Sequence, residues 1–382
     1  MNEDTVVTAE VVKDWWIYRG AGTAAEKQAL LAEHRPPWRS FKGEPDPGYA
    51  PPGTSGASWD ETHRRGAGYV PDEDEKDSVN TALYLRRPLL VTGKPGVGKS
   101  TLAHSIATDL ELGPVLHWPI TSRSSLRDGL YQYDAIGRLH DANLRHLDAA
   151  AKRTTGQPAL RHRRGTPAGR VLRPTAPASA DQPPGGPIAP YLRLGPLGTA
   201  LVAQERPRVL LVDEIDKSDI DLPGDLLTVF EEGAFEIPEL ARIAAHHPTV
   251  KIGTQDDPEP QVKIERGLIQ CLAFPIVVLT SNGERDFPPP FLRRCIRLDL
   301  KPPSEPKLTQ IVRQRLALDE GTDDAPYRDL IEAYLERRVE GDLATDQLLN
   351  AVQLRLSGAW SDDSDRTKFL NTVLQRLTGP PA

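Results

Sequence analysis

The stretch LLVTGKPGVGKS, residues 89–100, constrains this chain more than any other. An apolar run breaks into a glycine-rich turn that ends in Lys-Ser, placing Gly93, Gly98, Lys99 and Ser100 at the spacing G-x-x-x-x-G-K-S. Lys94, Pro95, Gly96 and Val97 fill the variable positions and Thr101 follows. The apolar run predicts a buried strand. STLAHSIATDLEL predicts a helix, with Leu102, Ile106 and Leu110 at i, i+4 and i+8. Glycine accepts positive φ and lets the backbone approach a ligand closely, so such a turn aims consecutive N–H groups at a β-phosphate. The helix that follows adds the positive end of its dipole. Lys99 then spans the β- and γ-phosphates, and the Ser100 hydroxyl is a ligand for Mg²⁺.

Two further strand ends complete the pattern. In VLLVDEIDKSD, four apolar residues deliver Asp213 to a carboxyl end, where ligands bind in open α/β sheets. Asp213 suits the acid that holds magnesium opposite Ser100, and Glu214 the base or orienter of an attacking water. Asp216 and Asp219 are expected to cap the next helix or to face a neighbour. In IVVLTSNGERDFPPPFLRRCI, the strand ends at Thr280 and Asn282 follows, an amide within reach of a γ-phosphate or the water. Three prolines then lead to Arg293 and Arg294, of which Arg294 is the better candidate for a charge supplied to phosphate.

The 382 residues allow two or three domains. Residues 1–66 carry Trp15, Trp16, Trp38 and Trp59 among many prolines, and read as a segment that docks on a partner or on its own neighbour. Within it, TAEVVKDWWIYRG predicts a short amphipathic helix ending at Gly20, and TAAEKQALLAEH a second capped by Thr23. RPPWRSFKGEPDPGYAPPGTSGASW reads as extended chain or linker. From residue 67 to 301, helices alternate with apolar strands, which predicts a mostly parallel sheet covered on both faces. Residues 151–190 interrupt that rhythm with Pro, Gly, Ala and Arg and read as a flexible insertion; Arg161, Arg163, Arg164, Arg170 and Arg173 there read as a solvated loop or a contact for nucleic acid. Residues 302–382 hold four helical patterns after a proline-rich hinge.

Bulk properties exclude other classes. A net charge of −7 argues against a DNA-coating protein. Two cysteines without CxxC spacing fit a reducing compartment and give no thiolate metal site. The N-terminus has no signal-peptide pattern and no apolar run reaches the roughly 20 residues of a membrane helix. The expectation is a soluble, cytoplasmic protein without a membrane partner.

The order of phosphate loop, DE strand, Asn-bearing strand, arginine segment and helical tail resembles the AAA+ ATPases, and within them the MoxR-like branch related to dynein-type modules. The resemblance covers residues 67 to 378 and leaves out the first 66 residues and the insertion. It implies an α/β P-loop NTPase fold with sheet order 5-1-4-3-2, a small all-helical lid, and ATP with Mg²⁺ as cofactors. By resemblance, Gly93–Thr101 is Walker A, Asp213 and Glu214 are Walker B, and Asn282 is sensor 1. Arg294, with Arg293 in reserve, matches the finger that reaches the neighbouring subunit's nucleotide, and Tyr69 and Val70 sit where the family contacts adenine. LLTVFEEGAFEIPEL and the strands after it resemble a hairpin inserted before the Asn strand. SSLRDGLYQYDAIGRLH resembles a segment that often faces a ring's pore, with Tyr131, Tyr133 and Asp134 either lining it or packing. The lid departs from the family in VEGDLATDQLLN, which lacks the sensor 2 cation; Arg337, Arg338 and Arg355 lie on either side.

The function this resemblance implies is an ATP-driven homo-oligomeric ring, hexameric in the family's manner, that remodels a protein partner, with von Willebrand A-type proteins implied as partners by family alone. A nucleic-acid motor of restriction type is a second reading, supported only by the arginine-rich insertion. A slow nucleotide switch is a third, against which intact Asp213 and Glu214 weigh.

Overall fold

A computed structural model of the chain describes residues 12–154, 188–256, 259–316, 318, 325–340, 343–358 and 366–375. The N-terminal stretch contributes α1 (Ala24–Glu33) and α2 (Ala57–Gly66), and α3 (Glu73–Leu85) leads into β1 (Leu89–Gly93) and α4 (Lys99–Asp109). Next come β2 (Leu116–Pro119), α5 (Leu126–Leu130), β3 (Tyr131–Tyr133), α6 (Ala135–Thr154), β4 (Leu192–Leu194) and α7 (Pro196–Ala200). β5 (Val209–Asp213) and α8 (Leu222–Glu232) precede β6 (Ala234–Glu236), α9 (Pro238–Ala241), β7 (Thr249–Gly253), β8 (Gln261–Glu265) and β9 (Leu268–Gln270). β10 (Ile276–Ser281), α10 (Pro289–Leu292) and β11 (Ile296–Leu300) are followed by α11 (Glu305–Arg315), α12 (Ala325–Glu340), α13 (Thr345–Leu356) and α14 (Arg366–Val373).

Five strands pair in parallel in the order β11-β1-β10-β5-β2. Counted along the chain, this is the expected 5-1-4-3-2. Leu90, Leu210, Val212, Val277 and Leu279 enter the core on one face, and Leu89, Val91, Val209, Leu211 and Val278 the core on the other. Side chains alternate across a strand, so covering both faces demands the unbroken apolar runs seen in the sequence. β1, β10 and β5 are neighbours, and their carboxyl ends bring Gly93, Ser281 and Asp213 to one edge.

A second sheet, ordered β3-β4-β7-β8-β9-β6, lies beyond the expected hairpin. It recruits β3 and β4, which are separated in sequence by α6 and by residues 155–187. Most of the stretch anticipated as an insertion, including Arg161, Arg163, Arg164, Arg170 and Arg173, lies outside the described residues; before it, α6 continues through Thr154. The strand-free tail packs α11 to α14 around Leu308, Val312, Tyr327, Leu330, Tyr334, Leu348, Val352 and Phe369. Among the described residues, no helix is long and apolar enough to cross a membrane.

The N-terminal segment departs from expectation in two places. The described part of TAEVVKDWWIYRG forms turns rather than a helix. The reason is Asn80: its Oδ1 accepts from the Ile17 and Tyr18 amides at 2.7 and 2.8 Å, and its Nδ2 donates to the Tyr18 carbonyl at 2.9 Å. A buried amide thus supplies the partners that a helix would have provided. Trp16, Ile17 and Tyr18 are buried, with Trp16 Nε1 donating to Asp77 at 2.8 Å. The Pro/Gly-rich stretch is a packed strap rather than a linker. Arg39 and Tyr49 are buried, Phe41 stacks on Phe274 at 5.5 Å, and the Gly43 amide donates to the Cys271 carbonyl. Its end, from Ala57, is already α2. Thr23 caps α1 as expected, within a capping box closed by Glu26.

Within the single chain, the Tyr segment before α6 is tied to its neighbours. Tyr131 is buried and donates to Glu239 at 2.9 Å, Tyr133 accepts from Arg138, and Asp134 accepts from the Gly137 amide. α6 itself docks by its polar side, through Arg138 to Tyr133 and through Asp141 and Arg145 to Tyr191. Its apolar side, Ile136, Leu139, Leu144 and Leu147, is exposed.

Candidate nucleotide-binding site

The three strand ends and the helical tail enclose a cleft of about 530 Å³. That lies within the roughly 300–1,000 Å³ usual for small-molecule and cofactor sites. Residues 95–101 form its floor, with Tyr69, Asp213, Glu214 and Asn282 along its sides.

The phosphate loop is built by backbone conformation that its glycines permit. Gly96 and Gly98 have φ of 76° and 101°. A Cβ on Gly96 would stand 2.3 Å from the Cβ of Ala344, so this glycine also lets the helical tail close over the loop. Lys99 opens α4 and is buried; its Nζ donates to the Gly93 and Lys94 carbonyls at 2.8 and 2.9 Å and to Asn282 Oδ1 at 2.7 Å. Burial lowers the Lys99 pKa, while Asp216, Asp213 and Glu214 oppose that shift. Lys94 lines a neighbouring hollow of about 300 Å³ together with Tyr334 and Arg338.

Asp213 ends β5 and gathers three partners. Its Oδ1 accepts from Ser100 Oγ at 2.7 Å and from Thr280 Oγ1 at 2.6 Å, and its Oδ2 lies 3.3 Å from His117 Nε2. Burial alone would raise its pKa, but hydrogen bonds from His117, Thr280 and Ser100 prevail and hold it at about 2. It is therefore an anion at neutral pH, beside a hydroxyl, as a hard divalent cation requires. Among the described residues, no group of three or more His, Cys, Asp or Glu is placed to hold a metal. Ser100 and Asp213 fit an ion that completes its shell with water and phosphate oxygens, as Mg²⁺ does.

Glu214 adopts the left-handed conformation, φ 60° and ψ 50°, which is costly for a residue with a Cβ and recurs at functional sites. Its amide donates to Thr280 Oγ1 at 2.9 Å and its carboxylate accepts from Lys217 Nζ at 2.7 Å. Asp216 does not cap a helix: buried, it accepts from the amides of Asn282 and Glu284 at 2.9 and 3.2 Å and so fixes the loop that carries Asn282.

Tyr69 and Val70 line the cleft where adenine is expected. The Tyr69 ring lies against the loop at Gly98, and its hydroxyl donates to Glu75 at 2.8 Å. Neither Arg293 nor Arg294 lines this cleft; Arg293 is exposed, and Arg294 Nε donates to Glu231 on α8 at 2.7 Å.

The helical tail brings residues that motif reading missed. Lys301, Lys307 and Arg315 line the cleft. Lys307 pairs with Asp72 and Glu75, both at 2.7 Å, and Arg315 donates to the carbonyls of Arg64 and Arg65. The spacing Lys307, Ile311, Arg315 marks one helix face and was the available signal. At the start of α13, where a sensor 2 cation would stand, Thr345 and Asp346 line the cleft, and the Thr345 amide donates to the Gly96 carbonyl at 3.3 Å. Arg337, Arg338 and Arg355 engage Leu370, Pro303 and Asp329 instead.

A five-stranded parallel sheet in this order, with a glycine loop, a buried lysine and a Ser–Asp pair at its carboxyl edge, defines a P-loop NTPase of the AAA+ class. The family model for the AAA domain (dynein-related subfamily) matches residues 88–295, and the chain belongs to that family. Comparison with curated proteins finds no match. Among solved structures, a variant of RuvB from Thermotoga maritima is similar at 14% identity and a TM-score of 0.38, with 79% of this chain and 70% of that chain covered.

Proposed function

We propose that the chain is a Mg²⁺-dependent ATPase that works as a homo-oligomeric ring and remodels a protein partner, in the manner of MoxR-like proteins. The observation that carries this reading is a division of labour. Lys99, Ser100, Asp213, Glu214 and Asn282 converge on one cleft, whereas Arg294 lies outside it. A cleft with its own lysine, metal acid and candidate base, whose lining Arg315 is tied to the Arg64 and Arg65 carbonyls and whose Arg294 lies elsewhere, is completed by a second copy. Mg²⁺ bound at Ser100 and Asp213 would neutralise charge on the transferred phosphoryl group. The protein's part is positioning: loop amides and Lys99 bind the triphosphate, Asn282 and Glu214 orient water, and a neighbour's Arg294 supports the developing charge.

The test is complementation between copies. Lys99→Ala and Arg294→Ala chains should each be nearly inactive. Mixed, they should regain turnover, because intact Lys99 sites then meet intact Arg294 side chains. Absence of recovery in a mixture shown to co-assemble overturns the ring reading. Glu214→Gln should bind ATP and stall, and what it retains identifies the client. A recovered protein, of von Willebrand A type or otherwise, supports remodelling, whereas recovered DNA supports a nucleic-acid motor.

A further inference from the structure

Arg294 is held by an arrangement that begins in the N-terminal strap. Its Nε donates to Glu231 Oε1 at 2.7 Å and its Nη1 to the Pro290 carbonyl at 3.3 Å, and its side chain remains 43% exposed. The other oxygen of Glu231 lies 3.7 Å from Arg39 Nη1. Arg39 is only 8% exposed: it donates to the Phe230 carbonyl at 2.7 Å and to the Arg86 carbonyl at 2.9 Å, and sits 4.9 Å over the Phe274 ring. One carboxylate is thus shared by a fixed, buried guanidinium and an exposed one. The buried member also grips α8 at the residue next to that carboxylate.

We propose that the strap, through Arg39 and Glu231, positions Arg294 for the phosphate of a neighbouring copy. The inference rests on the reading of Arg294 as a residue that acts in trans. Arg39 and Glu231 are positioning residues and touch no substrate. Contacts at Nε and Nη1 fix the plane of the guanidinium while leaving Nη2 for phosphate oxygens, and a fixed fork loses less freedom when it binds. Magnitudes favour orienting over sequestering. An exposed ion pair shifts an equilibrium by about fivefold at most, whereas an arginine delivered to a transferring phosphoryl group is worth ~10³–10⁵ in rate. Glu231 therefore holds Arg294 without outcompeting a triphosphate.

The experiment measures steady-state turnover of radiolabelled ATP by the full chain, at concentrations where specific activity has reached its plateau. Glu231→Ala should lower kcat about tenfold and leave KM unchanged, since misplacement far from the nucleotide affects the transition state more than binding. Glu231→Gln keeps an oxygen for Nε and should recover most of the rate. Arg39→Lys keeps the charge but loses the fork, and should lower kcat without adding to Glu231→Ala. In an Arg294→Ala background, Glu231→Ala should have no further effect. Unchanged or faster turnover in Glu231→Ala overturns the inference, as does a loss that persists without Arg294. If Arg294→Ala is slow while Glu231→Ala is silent, only the inference falls. If Arg294→Ala turns over like wild type, the trans reading falls and the inference with it.

Discussion

Thr280 Oγ1 donates to Asp213 Oδ1 at 2.6 Å while accepting the amide of Glu214 at 2.9 Å. One hydroxyl on β10 thereby fixes both acids at the end of β5: the carboxylate of the first and the left-handed backbone of the second. Asp213→Asn keeps an oxygen for Ser100 and Thr280 but removes the charge. The concentration of Mg²⁺ that supports half-maximal turnover should rise by ~10–100-fold. The carboxylate's folded-state pKa, about 2, lies below the ordinary 3.8. It therefore adds stability above about pH 4 that is lost as pH falls through 2, on the order of 2 kcal/mol. The acid-unfolding curve of the variant should be shallower in that window.

His104 has the opposite chemistry and the same sign. It is buried on α4, neither ring nitrogen has a partner in the structure, and burial, with Arg65 and His117 adding, pushes its pKa down to about 4 from 6.5. The unfolded chain takes up this proton first, so stability should fall between pH 6.5 and 4, by on the order of 3 kcal/mol. Thermal melts of His104→Leu should show a weaker decline across that range than wild type.

Asn80→Ala should release the N-terminal turns around Ile17 and Tyr18. The substitution strips partners from the buried amides of Ile17 and Tyr18. Each orphaned group costs about 1–3 kcal/mol. Hydrogen exchange should quicken at residues 16–19 before the sheet is affected; uniform exchange throughout would refute local docking.

Lys307 and Glu75 form a pair that is nearly out of water, with side chains 12% and 6% exposed. Lys307→Met leaves Glu75, already raised in pKa by burial, with the Tyr69 hydroxyl but without its cation. Removing one partner of a buried pair costs ~3–5 kcal/mol. Denaturant unfolding should show that loss in the single variant, and Glu75→Gln should restore much of it.

The candidate nucleotide-binding edge was legible in the sequence because each of its parts follows a buried strand. Lys99, Asp213 and Asn282 are placed by local pattern, and the pattern also dictates a two-faced sheet. His117, Thr280 and Asp216 carry no local mark. Their importance comes from which strand lies beside which, and β2, β5 and β10 are far apart in sequence. The N-terminal turns before α1 were misread for a related reason. They are stabilised by Asn80, more than 60 residues away, and helix propensity takes no account of a distant amide. Lys307 and Arg315 were hidden because α11 reads as a plain amphipathic helix until the tail folds back on the cleft.

The close approach of Gly96 and Ala344 bears on how the tail moves. A methyl group resting on bare backbone is a hard stop, and its height does not change with salt or pH. A ligand that lifts the loop at Gly96 must therefore push α13 bodily, like a cam beneath a follower. Enlarging residue 344 by even one carbon would prop the assembly ajar before any ligand arrived.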